Sequence, residues 1–256
     1  MARFLLFRLY GPLAAWGVPA VGELRPIQPH PSRSAILGLL GAALGVERND
    51  AAAQSALADG YGIAVRVDSP GNLIEDYHTV QAPRARRNFD PATRRDELAV
   101  PFDQIETMVT RRGYVTDALA VVAVWARDGA LHSLGALAEA LRRPAFVLYL
   151  GRKSCPLSLP PVPVLSAADD LPSALAEADG HWAACDEILG ARLDRLPRPG
   201  RRTELLWDDD LTPPPVEESR ILRRRRRDQP ADRGRWQFQE RWEQAAVLEK
   251  TGGGPA

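Results

Sequence analysis

The stretch His30-Pro-Ser-Arg-Ser-Ala-Ile-Leu-Gly-Leu-Leu-Gly-Ala-Ala-Leu-Gly45 decides how this chain reads. Ile36, Leu39, Leu40, Ala43 and Leu44 recur at helical spacing, which puts them on one stripe facing a core. Ser32 or Ser34 can cap the first turn, leaving Arg33 and the free amides at the positive end of the helix. Such an end attracts anions, phosphate among them. Gly38 and Gly41 each lower helix propensity by about 1 kcal/mol relative to Ala, which predicts close approach of another backbone. Alone, the stretch reads as a capped core helix before it reads as a phosphate-binding terminus. The segments on either side shift that balance.

Working outward, residues 3–10 alternate imperfectly between apolar and polar and stop at Gly11-Pro12, as a strand does before a sharp turn. Trp16, just beyond, reads as a core plug or as a stacking platform beside a strand end. On the other side, residues 61–67 (Y-G-I-A-V-R-V) alternate as a second strand closed by Ser69-Pro70-Gly71. Between Leu73 and Val115 the regular pattern lapses. Pro83, Pro91 and Pro101 interrupt it, and seven arginines (Arg84, Arg86, Arg87, Arg94, Arg95, Arg111 and Arg112) crowd it. Such a segment builds no core of its own, so it is expected to leave the body as a long hairpin or mobile arm whose task is contact.

Order returns at residues 118–125, an unbroken apolar run suited to a strand covered on both faces. Leu134, Leu137, Ala138 and Leu141 mark a second amphipathic helix, ended by Arg142-Arg143-Pro144. Residues 146–150 read as a fourth strand running into G-R-K-S-C-P-L. The order strand, helix, strand, excursion, strand, helix, strand predicts an α+β chain of the split βαβ, ferredoxin-like (RRM-like) type over residues 1–160. Beyond Pro160, residues 168–178 suggest a short helix and residues 203–207, 220–227 and 235–241 suggest strands, so residues 161–250 are expected to form a smaller β-rich C-terminal domain. Residues 251–256 read as a disordered Gly-rich tail.

Composition excludes several classes. The chain has 256 residues, 45% of them hydrophobic and 26% charged, which is globular usage, and its 33 basic residues balance 33 acidic ones. An anionic partner must therefore be held by local patches. Two cysteines, Cys155 and Cys185, are too few for a disulfide framework or a cysteine-based zinc cluster, and a reducing cytoplasm is the expectation. The opening F-L-L-F, interrupted by Arg8, is too short for a signal peptide or a membrane span. No cofactor or metal is expected, because His30, His78, His132 and His181 have no ligand spacing.

Three features can carry chemistry. Tyr149, Gly151, Arg152, Lys153 and Ser154 follow the expected fourth strand, where a glycine lets amides approach an anion and the cations neutralise it. G-R-K-S lacks the spacing of a nucleotide-triphosphate loop. In a ferredoxin-like sheet it can converge with the end of the first strand and with the first helix's N-terminus. The second feature is the run of five arginines from Arg223 to Arg227, which on a strand makes a guanidinium ladder or a solvated face paired with nearby acids. The third is His78 in D-Y-H-T-V, the best general-base candidate for RNA cleavage. No partner for it can be named from the sequence.

Together, R-L-Y-G-P-L-A-A-W-G (8–17), R-P-I-Q-P-H-P-S-R-S-A-I-L-G-L-L-G-A-A-L-G (25–45), D-Y-H-T-V (76–80) and Y-L-G-R-K-S-C-P-L (149–157) resemble the Cas-five family of CRISPR-associated proteins, in the form carried by type I-E Cascade complexes. The resemblance covers the chain to about residue 160, with R-D-Q-P near Arg227 as an echo beyond it. It implies a non-enzymatic subunit whose RRM-like body grips the 5′ handle of CRISPR RNA and whose inserted thumb, residues 77–115, reaches the backbone subunit CasC. The large subunit CasA docks nearby, and target DNA is met through the assembled complex. Carried onto this chain, the resemblance assigns RNA binding to Tyr10, Gly11, Pro12, Trp16, Arg25, Ser32, Arg33, Ser34, Tyr149, Gly151, Arg152, Lys153 and Ser154. It assigns thumb contacts to Tyr77, His78, Arg84, Arg86, Arg87, Arg111 and Arg112. Some type I-C relatives cleave precursor RNA themselves, so an endoribonuclease is the alternative, and a pure protein scaffold is a third reading.

Overall fold

The computed structural model describes residues 3–85, 89–189, 197, 202–232, 235 and 237–249. Strand β1 (Phe4–Tyr10) is buried through Leu9. It is followed by four two-residue strands: β2 (Leu13–Ala14), β3 (Trp16–Gly17), β4 (Leu24–Arg25) and β5 (Ile27–Gln28). Helix α1 (Arg33–Leu44) begins where the sequence places it, with Ser32 extended and its Oγ accepting from the Ala35 N–H. Gly45 closes the helix at φ 78°, a left-handed conformation that side chains rarely adopt.

Helix α2 (Ala51–Gly60) was not expected, because A-A-A-Q-S-A-L-A-D-G has one large apolar residue, Leu57, and shows no stripe. Asp50 caps it, and α2 packs on α1 at Gly41, where a Cβ would lie 3.4 Å from Leu57 Cδ1; the neighbours there are side chains at ordinary contact distance, and the close backbone approach expected of this glycine is not found. Next come β6 (Tyr61–Ser69), β7 (Asn72–Pro83), the short α3 (Arg94–Leu98), β8 (Ile105–Thr116), β9 (Leu119–Ala126), α4 (Leu134–Arg142), β10 (Val164–Ser166) and α5 (Leu171–Leu189). The C-terminal strands are β11 (Arg202–Asp208), β12 (Leu222–Asp232) and β13 (Gln237–Glu249).

Seven strands form one sheet in the order β10-β1-β9-β6-β11-β13-β12, every neighbouring pair antiparallel. Both faces of its centre are dry, which is why β9 reads as a continuous apolar run and why β1 and β6, read as alternating, are buried on both sides. Leu5, Phe7, Val65 and Val122 pack with α1 and α4 residues such as Leu40 and Leu137. Phe4, Leu6, Ala64 and Val121 pack on the other face with Leu171, Leu175 and Trp182 of α5.

Two expectations are corrected. Residues 146–150 form no strand. Their burial alternates, with Leu148 9% and Leu150 1% exposed against Val147 at 82%, yet only Tyr149 makes a bridge, to Pro156. Alternation reports which side of a segment meets the core, and here a loop resting on the C-terminal end of α1, through Phe146 N–H to Ala42 O, alternates without a ladder. The position beside β1 belongs to β10 instead, Phe4 opposite Ser166. Nor do the C-terminal strands form a sheet of their own. β11 pairs with β6, Leu206 opposite Val65, because a strand buried on both faces cannot leave one edge of N–H and C=O groups unpaired. The Gly-rich tail lies outside the described residues.

The segment between β6 and β9 is a long antiparallel hairpin. β7 and β8 stay in register from Asn72–Thr116 to Pro83–Ile105, and β4 adds to β8 in parallel. β7 is largely exposed along its length, and β8 enters the core only at its base, through Tyr114 and Val115, which agrees with a composition that cannot bury itself.

Candidate nucleic-acid interface

The N-terminal end of α1 is filled by the chain's own carboxylates. Asp228 of β12 accepts the Arg33 N–H at 2.9 Å, so the anion that a helix end attracts is already in place. The Arg33 guanidinium, its residue 3% exposed, pairs with Asp208, donates to the Ala58 and Tyr61 carbonyls and bonds Gln229 Oε1 at 2.9 Å. Arg241 joins Asp228 at 2.7 Å and Asp208 at 3.1 Å. Burial alone pushes Asp228 up, but Arg241 and the Arg33 amide hold its carboxyl below the ordinary range. Arg33 is thus corrected from a phosphate contact to the centre of a buried ionic seam joining α1 to β11, β12 and β13. Ser32, 4% exposed, is consumed by capping, and Ser34 Oγ lies 3.1 Å from Ser32 Oγ. Trp16, also 4% exposed, sits in the core and offers no stacking face.

The other two expected elements do converge. Residues 149–156 fold back on themselves, Leu150 N–H to Cys155 O at 2.8 Å and Cys155 N–H to Arg152 O at 2.9 Å. The loop is locked to the chain after β1: Ala15 N–H donates to Leu150 O at 2.9 Å and Ser158 N–H to Tyr10 O at 3.0 Å. Glycine is required at both crossings. Gly151 has φ 85°, and a Cβ there would fall 2.0 Å from Ala15 O, while one at Gly11 would fall 2.7 Å from Pro156 O. Tyr10 donates to Asp117 Oδ1 at 3.4 Å, and burial first, then Asp117, raises its phenol pKa. Pro12 O accepts the Asp117 N–H at 3.4 Å.

From this locked loop Arg152 reaches the base of the hairpin. Its guanidinium lies 4.7 Å over the Tyr114 ring and donates to Gly113 O at 3.2 Å. Arg112, two residues before Tyr114 on the same strand face, bonds Thr110 Oγ1, and Arg25 lies opposite Arg112 in the parallel β4–β8 pair. Arg25 itself donates to the Gly22 and Leu24 carbonyls. Lys153 and Ser154 are exposed at the turn, and Tyr149 is 38% exposed beside them. The result is a cationic rim of Arg25, Arg112, Arg152 and Lys153 flanked by a tyrosine, a surface able to take phosphates and a stacked base. Tyr114 was not singled out from the sequence. No local signal marks it, because it meets Arg152 only through the hairpin register.

Along the hairpin, Tyr77 is 61% exposed opposite Arg111, Arg84 pairs with Glu106 at 3.0 Å, and Arg111 lies 3.9 Å from Glu75. His78 Nε2 lies 2.5 Å from Asp76 Oδ2. Arg86 and Arg87 lie outside the described residues. Among the described residues no cluster of His, Cys, Asp and Glu could hold a metal ion, and no helix is long and apolar enough to cross a membrane.

A convergent cationic rim on a mixed α/β chain defines a class, and comparison with known proteins gives it a family. The family model for CRISPR-associated protein (Cas_Cas5) matches residues 4–243, and the chain belongs to that family. It is 36% identical to the CRISPR system Cascade subunit CasD of Escherichia coli (strain K12) over 168 residues, 62% of this chain and 70% of that protein. Among solved structures it is similar to a chain of a CRISPR RNA-guided surveillance complex, with TM-score 0.60, 25% identity and coverage of 96% of this chain and 89% of that one. It is also similar to a crystal structure of a Cas protein, with TM-score 0.58, 28% identity and coverage of 96% and 95%.

Proposed function

We propose that the chain is a Cascade subunit that holds the 5′ handle of CRISPR RNA without cutting it. The observation that carries this reading is Arg152, fixed over Tyr114 by a loop that Gly151 locks against Ala15 and set beside Arg25, Arg112 and Lys153. Phosphates of the handle lie on those cations, and Tyr149 stacks on a handle base. The strand order β10-β1-β9-β6 with α1 and α4 on one face supports an RRM-like body, into which the β7–β8 hairpin is inserted as a thumb. The thumb reaches the backbone subunit CasC through Tyr77 and the arginines around it, the large subunit CasA docks beside the handle, and target DNA is met through the assembled complex in the cytoplasm.

The test is affinity for CRISPR RNA with and without its handle, using Arg152→Ala/Lys153→Ala. If each phosphate contact contributes about 1.5–3 kcal/mol as a charge-assisted bond, handle-dependent binding falls by two orders of magnitude or more. Normal affinity in that variant overturns the site. Deleting residues 82–106, which spares Arg112 and Tyr114, leaves handle binding intact and abolishes assembly with CasC; intact assembly refutes the thumb. A second reading, an endoribonuclease, rests on His78 as a base, with Asp76 2.5 Å away though not hydrogen-bonded to Nε2. Cleavage of repeat RNA that disappears in His78→Ala would establish that reading, and no cleavage by the intact chain removes it.

A further inference from the structure

The far edge of the sheet carries a surface that the handle site does not use. β12 is the terminal strand of the sheet, and its arginine run divides by strand parity. Arg224 and Arg226 point to the α1 face, where Arg224 lies 2.8 Å from Glu204 and Arg226 bonds Gln28 Oε1 at 3.1 Å and lies 3.5 Å from Glu243. Those two are structural. Arg223 and Arg225 point the opposite way, facing Gln244 and Trp242 across the ladder.

On that side Arg225 sits 5.1 Å from the centroid of the Trp242 ring, and Trp242 is 47% exposed. The α5 layer covers this face over Phe4, Leu6 and Ala64 and does not reach Trp242. Arg225 has one counter-charge, Glu240 at 3.6 Å, and both side chains are more than 60% exposed, so the pair is weak and readily exchanged. Among the described residues Arg223 has no ion pair, and Arg227 spends only its Nε, on Phe238 O.

We propose that this face is a second nucleic-acid surface, binding one single strand with its phosphates on Arg223, Arg225 and Arg227 and a base on Trp242. The indole decides the class of partner. An acidic protein segment would satisfy the guanidinium forks but leave the flat, half-open ring unused, whereas every nucleobase has a face that stacks on it. Phosphate forks and an indole read neither sugar nor base, so binding is independent of sequence and strongly salt-dependent.

The test titrates the full chain with fluorescein-labelled oligo(dT) of about fifteen nucleotides by anisotropy at several salt concentrations. In Arg223→Gln/Arg225→Gln/Arg227→Gln the affinity falls about tenfold or more, and the log–log salt slope shrinks by about two, since each phosphate neutralised on a single strand contributes about 0.7. Trp242→Ala loses about tenfold at unchanged slope, and Trp242→Phe restores most of it. Thermal melts of all three variants match the unsubstituted chain. Unchanged binding in the triple variant overturns the proposal, and so does displacement of oligo(dT) by poly-glutamate as effective as displacement by unlabelled oligo(dT). Repeating the titration with Arg152→Ala/Lys153→Ala keeps the two sites separate. Oligo(dT) affinity attributed to the Trp242 face persists there whether or not handle binding is lost.

Discussion

Arg33 and Arg152 begin as equivalent candidates, each an arginine within two residues of a serine in a short motif. The fold gives them opposite fates. Arg33 meets Asp208 and Asp228, carboxylates supplied 175 and 195 positions later in the chain, and is sealed 3% exposed. Arg152 meets a tyrosine ring and one carbonyl, which orient its guanidinium without neutralising it. The chain supplies geometry for both arginines but a counter-charge for Arg33 alone.

The largest expected effect separates the two directly. Arg33→Ala leaves Asp208 buried with one cation fewer, while Asp228 keeps the main-chain N–H of residue 33, and denaturant unfolding should show a loss of about 3–5 kcal/mol, the usual result of removing one partner from a buried ion pair. Arg152→Ala, by contrast, should shift stability by less than about 1 kcal/mol while weakening handle RNA. Equal unfolding midpoints for the two variants would break the comparison.

Next in size is Gly151→Ala. A methyl group 2.0 Å from Ala15 O at φ 85° forces the loop off the β1 end, at a cost of about 1–3 kcal/mol. Handle affinity should fall even though every cation remains, and unchanged RNA binding would show that loop position is immaterial.

A smaller effect sharpens the same contrast from the α1 side. Ser32→Ala removes the cap on Ala35 N–H and should lower stability by about 1 kcal/mol, with handle affinity unchanged because Ser32 is buried. A selective loss of RNA binding would return the helix end to the interface.

The smallest effect is read by pH. The Asp228 carboxyl is held below its unfolded value near 3.8, so its contribution to stability is present above that value and is lost as pH falls through the lower folded pKa. Urea unfolding of the unsubstituted chain between pH 5 and about pH 3 should show this loss. In Asp228→Asn the acid-dependent part should shrink, at the expense of lower stability at neutral pH.

Much of the fold was legible because it rests on local pattern. The helix α1, the strands β1, β6 and β9 and the stripe of α4 each reside in a dozen residues or fewer, and the hairpin shows itself by a longer stretch of composition that cannot build a core. The basic loop after residue 150 was legible as a motif, G-R-K-S beside a tyrosine. Residues 146–150 misled because alternation records burial and carries no information about whether a ladder partner exists.

Pattern along the chain determined α1 and its cap, α4 and the strands β1, β6 and β9, and that cations gather in a few short motifs. Only the tertiary structure decided which of those cations face outward. Asp208 and Asp228 come to Arg33 because β11 and β12 extend the same sheet past β6, Tyr114 comes under Arg152 because the hairpin register puts it there, and β10 rather than residues 146–150 flanks β1. Each of these is a pairing between distant segments, set by the need to satisfy buried backbone edges and buried charges at once, and no local window of sequence contains both partners.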